Sequence, residues 1–219
     1  MSKIVKVKIC GIKDPDILKL CIEEGADFIG LNFSPVSSRN ISRFQAEHLL
    51  AYLKSSVPES IRPKVVFLFY KNSISFIESV LKTLPYDYLQ FVNDDPLLPG
   101  HSSPLIGQRN RRILSYRVKN QINDDSLASL DSKLLILDSY VSGSGGGTGE
   151  AFPWKYVRDV RRPYFLAGGL RPDTVAKAIQ ELLPYGVDVA SGVESSPGVK
   201  DPKLVREFIK NAKRASSRN

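Results

Sequence analysis

Leu134-Leu135-Ile136-Leu137-Asp138 is the stretch that decides how this chain folds. Four consecutive aliphatic residues leave no polar face, the pattern of a strand covered on both sides in a parallel sheet. The run stops abruptly at a carboxylate. Working outward, similar apolar segments recur at Ile4 to Cys10, Phe28 to Phe33, Lys64 to Tyr70, Tyr86 to Phe91, Arg112 to Val118, Tyr164 to Ala167 and Val187 to Ala190. Segments of helical spacing alternate with them: Pro15 to Glu24, Arg43 to Ser55, Ser73 to Leu84, Asn123 to Leu130, Pro153 to Arg158, Pro172 to Leu183 and Pro202 to Lys213. Such alternation is the signature of βα units around a parallel sheet.

Asp14 before Pro15, Asp201 before Pro202 and Ser42 before Arg43 are N-caps in waiting. Their oxygens can accept from unpaired first-turn amides, and proline loses nothing at the first helical position. In the first helix Ile17, Leu20, Cys21 and Glu24 share a face, which makes Cys21 a small core residue. Asn93 to Gln108 carries three prolines and two glycines in place of an amphipathic helix. The expectation is therefore one (β/α)8 barrel over residues 1–219 with an irregular fourth βα crossover and a frayed tail at 214–219.

Composition agrees with a globular enzyme-sized domain. Of 219 residues 42% are hydrophobic and 25% charged, which excludes disorder as the main state. No apolar run approaches the roughly 20 residues of a membrane span. The first residues, Met1 to Lys8, alternate lysine with valine and isoleucine and lack a secretory h-region, so a cytoplasmic location is expected. Cys10 and Cys21 are too few and too far apart for a disulfide framework or a CxxC motif, and no His, Cys and carboxylate grouping has metal-site spacing. His48 lies mid-helix and His101 in the proline-rich crossover, where surface or core roles suffice. The net charge of +8 is partly concentrated in Arg109 to Arg112 and Lys210 to Arg218. It suits either a solvated surface that attracts phosphate or a polyanion partner.

In a (β/α)8 barrel the chemistry sits where strands end. Cys10 ends the first strand in Lys8-Ile9-Cys10-Gly11-Ile12, where nearby positive charge would make a thiolate base or nucleophile, and where a small core side chain would also fit. Asp138 ends the sixth. A carboxyl half sunk in the barrel mouth can hold a proton as a general acid, or can simply accept loop amides. Ser142 to Gly149, rich in glycine, reads as a backbone approach to a ligand, a lid or a plain loop. Ala167-Gly168-Gly169-Leu170 and Ala190-Ser191-Gly192-Val193-Glu194 follow the last two strands. Loops at those two places form the usual barrel phosphate site, which points to Gly168, Gly169, Ser191 and Gly192 and to a phosphorylated small molecule.

Lys8 to Ile12, Leu137-Asp138, Gly146-Gly147-Thr148-Gly149, Ala167 to Leu170 and Ser191 to Glu194 together resemble the phosphoribosylanthranilate isomerase family, nearly end to end. The resemblance implies a single (β/α)8 barrel of tryptophan biosynthesis with no redox cofactor, Cys10 as general base and Asp138 as general acid. The reaction implied is the Amadori rearrangement of N-(5-phosphoribosyl)anthranilate to the 1-deoxyribulose 5-phosphate, by a monomer or homodimer without nucleic-acid or membrane partners. Phe33-Ser34-Pro35-Val36-Ser37-Ser38-Arg39 corresponds to a family stretch reading Phe, any residue, Pro, Lys, Ser, Pro, Arg. Arg39 thereby matches the arginine assigned to the anthranilate carboxylate, while Val36 and Ser38 depart from the pattern. Leu89-Gln90-Phe91-Val92-Asn93 keeps only the glutamine of the family's Gln-Leu-His-Gly. Two rivals remain: another sugar-phosphate isomerase barrel, such as the histidine-pathway enzyme whose first strand ends in aspartate instead of Cys10, and a silent basic barrel used as a binding or scaffold protein.

Overall fold

The computed structural model describes residues 4–92, 109–139 and 152–216. Eight parallel strands close on themselves in sequence order. They are β1 (Lys6–Cys10), β2 (Phe28–Asn32), β3 (Lys64–Phe69), β4 (Tyr88–Val92), β5 (Arg112–Val118), β6 (Leu134–Ser139), β7 (Tyr164–Leu166) and β8 (Gly186–Val189), with β8 pairing back to β1. The expected (β/α)8 barrel is thus present, each strand within two residues of its predicted ends. The alternation of side chains sorts the two cores. Val7, Ile9, Ile29, Leu31 and Leu135 face outward to the helices. Phe28, Val66, Ile113, Leu134, Ile136 and Phe165 fill the barrel interior, and Cys10, Leu68, Tyr70 and Val92 pack nearer its mouth.

Among the described residues five α-helices surround the barrel: α1 (Pro15–Glu23), α2 (Arg43–Ser56), α3 (Ile74–Leu81), α4 (Val175–Leu182) and α5 (Pro202–Ser216). The three predicted caps are formed. Asp14 accepts from the amides of Asp16 and Ile17, Ser42 forms a capping box with Gln45, and Asp201 accepts from Lys203 and Leu204. Cys21 is fully buried, and burial pushes its thiol up to about 12, as befits a core residue.

Three expectations need correction. Asn123 to Leu130 forms only a 3-10 turn at Asp125–Leu127. There the Asn123 and Ser126 side chains bond each other and the local backbone, offering an alternative to helix. The Arg162 guanidinium meanwhile takes the carbonyls of Leu127, Leu130 and Ser132 that a longer helix would use or cap. Pro153 to Arg158 likewise gives a 3-10 turn, Trp154–Val157, and the Tyr156 carbonyl accepts from the amide of Ile122 instead of a next helical turn. Residues 214–216 of the supposed frayed tail belong to α5. Ala212, Ala215 and Ser216 are buried, and the Ser216 hydroxyl accepts from the amide of Val5 while donating to Ala212. The composition of that segment is polar, but its small residues recur at helical spacing and face the barrel. Asn93 to Gln108, His101 and Ser142 to Gly149 lie outside the described residues.

Several cations of the basic runs have partners within the chain. Arg109 and Arg112 pair with Asp131, Arg111 bonds the carbonyls of Asp87 and Tyr86, and Lys210 and Lys213 reach Glu24 and Asp27.

The lower barrel interior is plugged by rings. Phe165 meets Phe28 edge-on at 5.1 Å and Tyr185 at 5.4 Å. Gly186 makes room for them: a Cβ there would stand 2.4 Å from Phe165 Cε1 and 2.8 Å from the Lys6 carbonyl oxygen. Backbone on one side and a locked ring on the other leave no escape, so Gly186→Ala should cost about 1–3 kcal/mol by overpacking. A lowered urea midpoint at unchanged slope is the expected result, and an unchanged midpoint would mean that the ring plug yields.

Candidate active site

At the C-terminal mouth of the barrel the strand ends surround a cavity of about 480 Å³, within the size range of small-molecule sites. Cys10, Asn32, Arg39, Gln90, Arg117, Asp138 and Asp188 are among its lining residues. Cys10 and Asp138, proposed from sequence as a proton-transfer pair, therefore share one chamber.

Beneath them lies a charged group that sequence reasoning missed. Lys8 is fully buried, two residues before Cys10 on the same inward face of β1, and its Nζ donates to Asp188 Oδ1 on β8 at 2.9 Å. Burial alone would drive this lysine toward neutrality, but Asp188 and the Cys10 sulfur outweigh it and hold the ammonium above its ordinary range. Positive charge thus stands beside the Cys10 sulfur. The signal was present in the sequence: Lys8 and Asp188 are charges at inward positions of strands whose outward positions, Val7, Ile9, Val187 and Val189, are aliphatic, and buried charges come in pairs.

Asp138 neighbours Arg117 across the β5–β6 ladder and opens toward the cavity. Burial first, and then the Asp188 charge, lift its carboxyl from 3.8 to about 6, against the Ser139 amide bond and the Arg117 charge. Asp138 Oδ1 also accepts from the Ser139 amide at 2.8 Å, the backbone contact that the second sequence reading expected.

Gly168, Gly169, Ser191 and Gly192 meet in a recess that shares Asp138, Asp188 and Ala190 with the main cavity. Gly168 and Gly169 have φ of +80° and +66°, and among the described residues the amides of Gly168, Gly169 and Ser191 take part in no backbone hydrogen bond. Gly192 has a further reason to be glycine: a Cβ would stand 1.8 Å from the Leu170 carbonyl oxygen, so it sets how closely the two loops approach.

Arg39 is buried in the cavity wall, and its loop is well supported despite Val36 and Ser38. Asn32 accepts from the Ser34 amide and donates to Ser37 Oγ, Asn40 donates to the Ser34 carbonyl, and Ser37 Oγ accepts from the Arg39 amide. The Arg39 fork grips Glu194 with two bonds of 2.8 Å, and Lys200 donates to the same carboxylate at 2.8 Å. Burial would raise the Glu194 carboxyl, yet Arg39 and Lys200 together hold it below the usual range. Neither Glu194 nor Lys200 was assigned a role from sequence, because the contact spans 155 residues. Gln90 and Val92 line the cavity where the family pattern has glutamine and histidine; Gln90 donates to Ser115 Oγ, and its buried Oε1 meets no partner among the described residues. His48 is exposed on α2, away from the site.

A carboxyl raised on folding costs stability above its folded value of about 6 and none below about pH 4, and the lift from 3.8 to about 6 corresponds to roughly 3 kcal/mol. Asp138→Asn keeps the Ser139 bond and should raise Tm at pH 8, with the gain vanishing toward pH 4. Equal Tm values for the two proteins at pH 8 would mean that the carboxylate ionises at no cost.

Known proteins resemble the chain over most of its length. Residues 7–211 match the family model for N-(5'phosphoribosyl)anthranilate (PRA) isomerase. The N-(5'-phosphoribosyl)anthranilate isomerase of Leptospira interrogans serovar copenhageni is 51% identical over 211 residues, 96% of each chain. The crystal structure of phosphoribosyl anthranilate isomerase from Thermotoga maritima is 32% identical with a TM-score of 0.77, covering 96% of this chain and 99% of that one. A phosphoribosyl anthranilate isomerase in complex with reduced 1-(o-carboxyphenylamino)-1-deoxyribulose 5-phosphate is 30% identical with a TM-score of 0.74, over 96% and 99% of the two chains. With the match running from the first strand into the last helix, the chain belongs to the N-(5'-phosphoribosyl)anthranilate isomerase family.

Proposed function

We propose that this chain isomerises N-(5'-phosphoribosyl)anthranilate to 1-(2-carboxyphenylamino)-1-deoxyribulose 5-phosphate, a step of tryptophan biosynthesis, with Cys10 as general base and Asp138 as general acid. One observation carries the assignment of residues: the two groups share a cavity with an arginine in its wall and an amide-lined recess opening from it. A substrate with a carboxylate at one end and a phosphate at the other would be held with its sugar between them.

Asp138, with a value near 6, retains protonated molecules close to neutrality and donates to the furanose ring oxygen. The C1–O bond breaks as the anilino nitrogen lends its electron pair, leaving an iminium. That cation makes the C2 proton acidic, and the Cys10 thiolate removes it, with Lys8 close by to balance charge. The resulting enolamine tautomerises to the aminoketose. No step needs a redox cofactor.

The phosphate is assigned to the amides of Gly168, Gly169, Ser191 and Gly192, and the anthranilate carboxylate to Arg39. The related complex named above holds a reduced form of the same product. The pairing of Arg109, Lys210 and Lys213 with Asp131, Glu24 and Asp27 favours phosphate attraction over a nucleic-acid partner as the use of the net charge. Among the described residues no helix is long and apolar enough to cross a membrane, and a cytoplasmic monomer or homodimer is our reading.

Cys10→Ser and Asp138→Asn should each lose at least roughly 10²-fold in kcat, the lower end for general acid or base catalysis. Iodoacetamide should inactivate the native chain, with the product analogue protecting it. Retained turnover in Cys10→Ser would make the thiol core filling.

At the recess, inorganic phosphate should compete with substrate, and Ser191→Asp, which adds negative charge without the Leu170 clash of a Gly192 substitution, should raise KM at least roughly 10-fold. Unchanged KM in Ser191→Asp would move the phosphate elsewhere.

A further inference from the structure

Arg39 has a task that its surroundings complicate. A guanidinium meant for a substrate carboxylate already holds a protein carboxylate, Glu194, through Nε and Nη2. Two opposite consequences are open to such a pair. Glu194 could compete with the substrate, so that binding must first break an ion pair, or it could fix the plane of the guanidinium and leave its charge to be answered by the ligand.

The charges around Glu194 choose the second. Its side chain is 4% exposed, and its two oxygens accept from Arg39, from Lys200 Nζ at 2.8 Å and from the Gly198 amide at 3.2 Å. Lys200 is itself buried, with its side chain 3% exposed and a second bond to the Ala190 carbonyl at the end of β8. One carboxylate therefore serves two buried cations. The trio keeps a net positive charge, and the cation in the cavity wall is Arg39. Without Lys200, the Arg39 and Glu194 pair would be neutral, with little attraction left for an anion.

Packing points the same way. Glu194 begins a short hairpin, β9 (Glu194–Ser196) and β10 (Val199–Lys200), that follows β8. Gly198 at its turn has φ of +83°, and a Cβ there would stand 2.3 Å from the Ser38 carbonyl oxygen. Lys13 donates to that same carbonyl. On the other side Gly11, with φ of +79°, lets the Arg39 stem lie against the end of β1, where a Cβ would meet Arg39 Cδ at 2.8 Å. The loop carrying Arg39 is thus clasped between the turn after β1 and the hairpin after β8.

We propose that Glu194, balanced by Lys200, is the positioning residue of the carboxylate subsite: it fixes the guanidinium of Arg39 in the cavity wall for the anthranilate carboxylate. The inference rests on the assignment of Arg39 to that carboxylate. It makes the last residue of Ser191-Gly192-Val193-Glu194 part of ring recognition, whereas Ser191 and Gly192 serve the phosphate.

The test compares affinities for two probes, the reduced product analogue and the same compound lacking the ring carboxylate. Glu194→Gln removes a negative charge, so charge alone predicts tighter binding of the carboxylate probe, and loss of positioning predicts weaker binding. The double variant Glu194→Gln/Lys200→Met restores the native net charge of the trio without the fork and removes the buried cation left unpaired, so it carries the test if the single variant does not fold. The expected result is a preference for the carboxylate probe reduced at least roughly 10-fold in both variants, as for loss of a bidentate charged contact, with KM raised and saturating kcat within about threefold of native. Arg39→Ala is the control and should lose the same preference. If Arg39→Ala loses it while the Glu194 variants keep it or bind more tightly, Glu194 is a competitor or a bystander and the positioning role is overturned. If Arg39→Ala itself keeps the preference, the Arg39 assignment fails and this inference falls with it.

Discussion

The ion pair between Lys8 and Asp188 joins the two strands at which the barrel closes, and it lies under the site. Removing two charges from water costs several kcal/mol per ion, which their attraction recovers only in good geometry, and losing either partner strands the other in an apolar interior. A barrel interior filled with aliphatic and aromatic side chains would be the more stable alternative. The pair instead places opposite charges directly under the cavity. The ammonium stands beside the Cys10 sulfur, and the carboxylate helps to keep a proton on Asp138.

That arrangement divides the barrel by height. Below, Phe28, Phe165, Tyr88 and Tyr185 interlock as rings, and closure there is a matter of shape. Above, the inward positions of the same strands become Cys10, Asn32, Gln90, Ser115, Arg117, Asp138 and Asp188, and cohesion passes to hydrogen bonds and charge. Preorganised polar groups cost stability where they stand, and the outer core, in which Val7, Ile9, Leu31, Leu135 and their neighbours pack under the helices, offsets it. The division also sets the two ends of the site apart. Amides of the loops after β7 and β8 form one end, and the Arg39 wall, braced from the hairpin, forms the other.

Much of this was legible along the chain. Runs of β-branched and aliphatic residues ending in Cys10, Asp138, Ala167 and Ala190 mark parallel strands and their C-terminal rims, because a strand buried on both faces has no polar face to show. Asp14, Ser42 and Asp201 announced helix starts because capping is a bond between near neighbours. The helical reading of Asn123 to Leu130 failed partly through the local Asn123 and Ser126 bonds and partly for a reason outside the segment, since Arg162 claims three carbonyls from that region. The tail reading failed at residues 214–216 because polar composition hid the small residues of α5 that face Val5 and the barrel, while 217–219 lie outside the described residues.

The sequence by itself determined the barrel, its strand order and the positions of Cys10, Asp138, Arg39 and the two glycine loops, since each is written in local pattern or in a family motif. Only the tertiary structure decided what those residues touch. Lys8 with Asp188 and Arg39 with Glu194 are contacts across 180 and 155 residues. A charge facing into the barrel shows that a partner must exist, because burial without one is too costly. It does not show which partner, because that choice is made by barrel closure, which brings the two ends of the chain together.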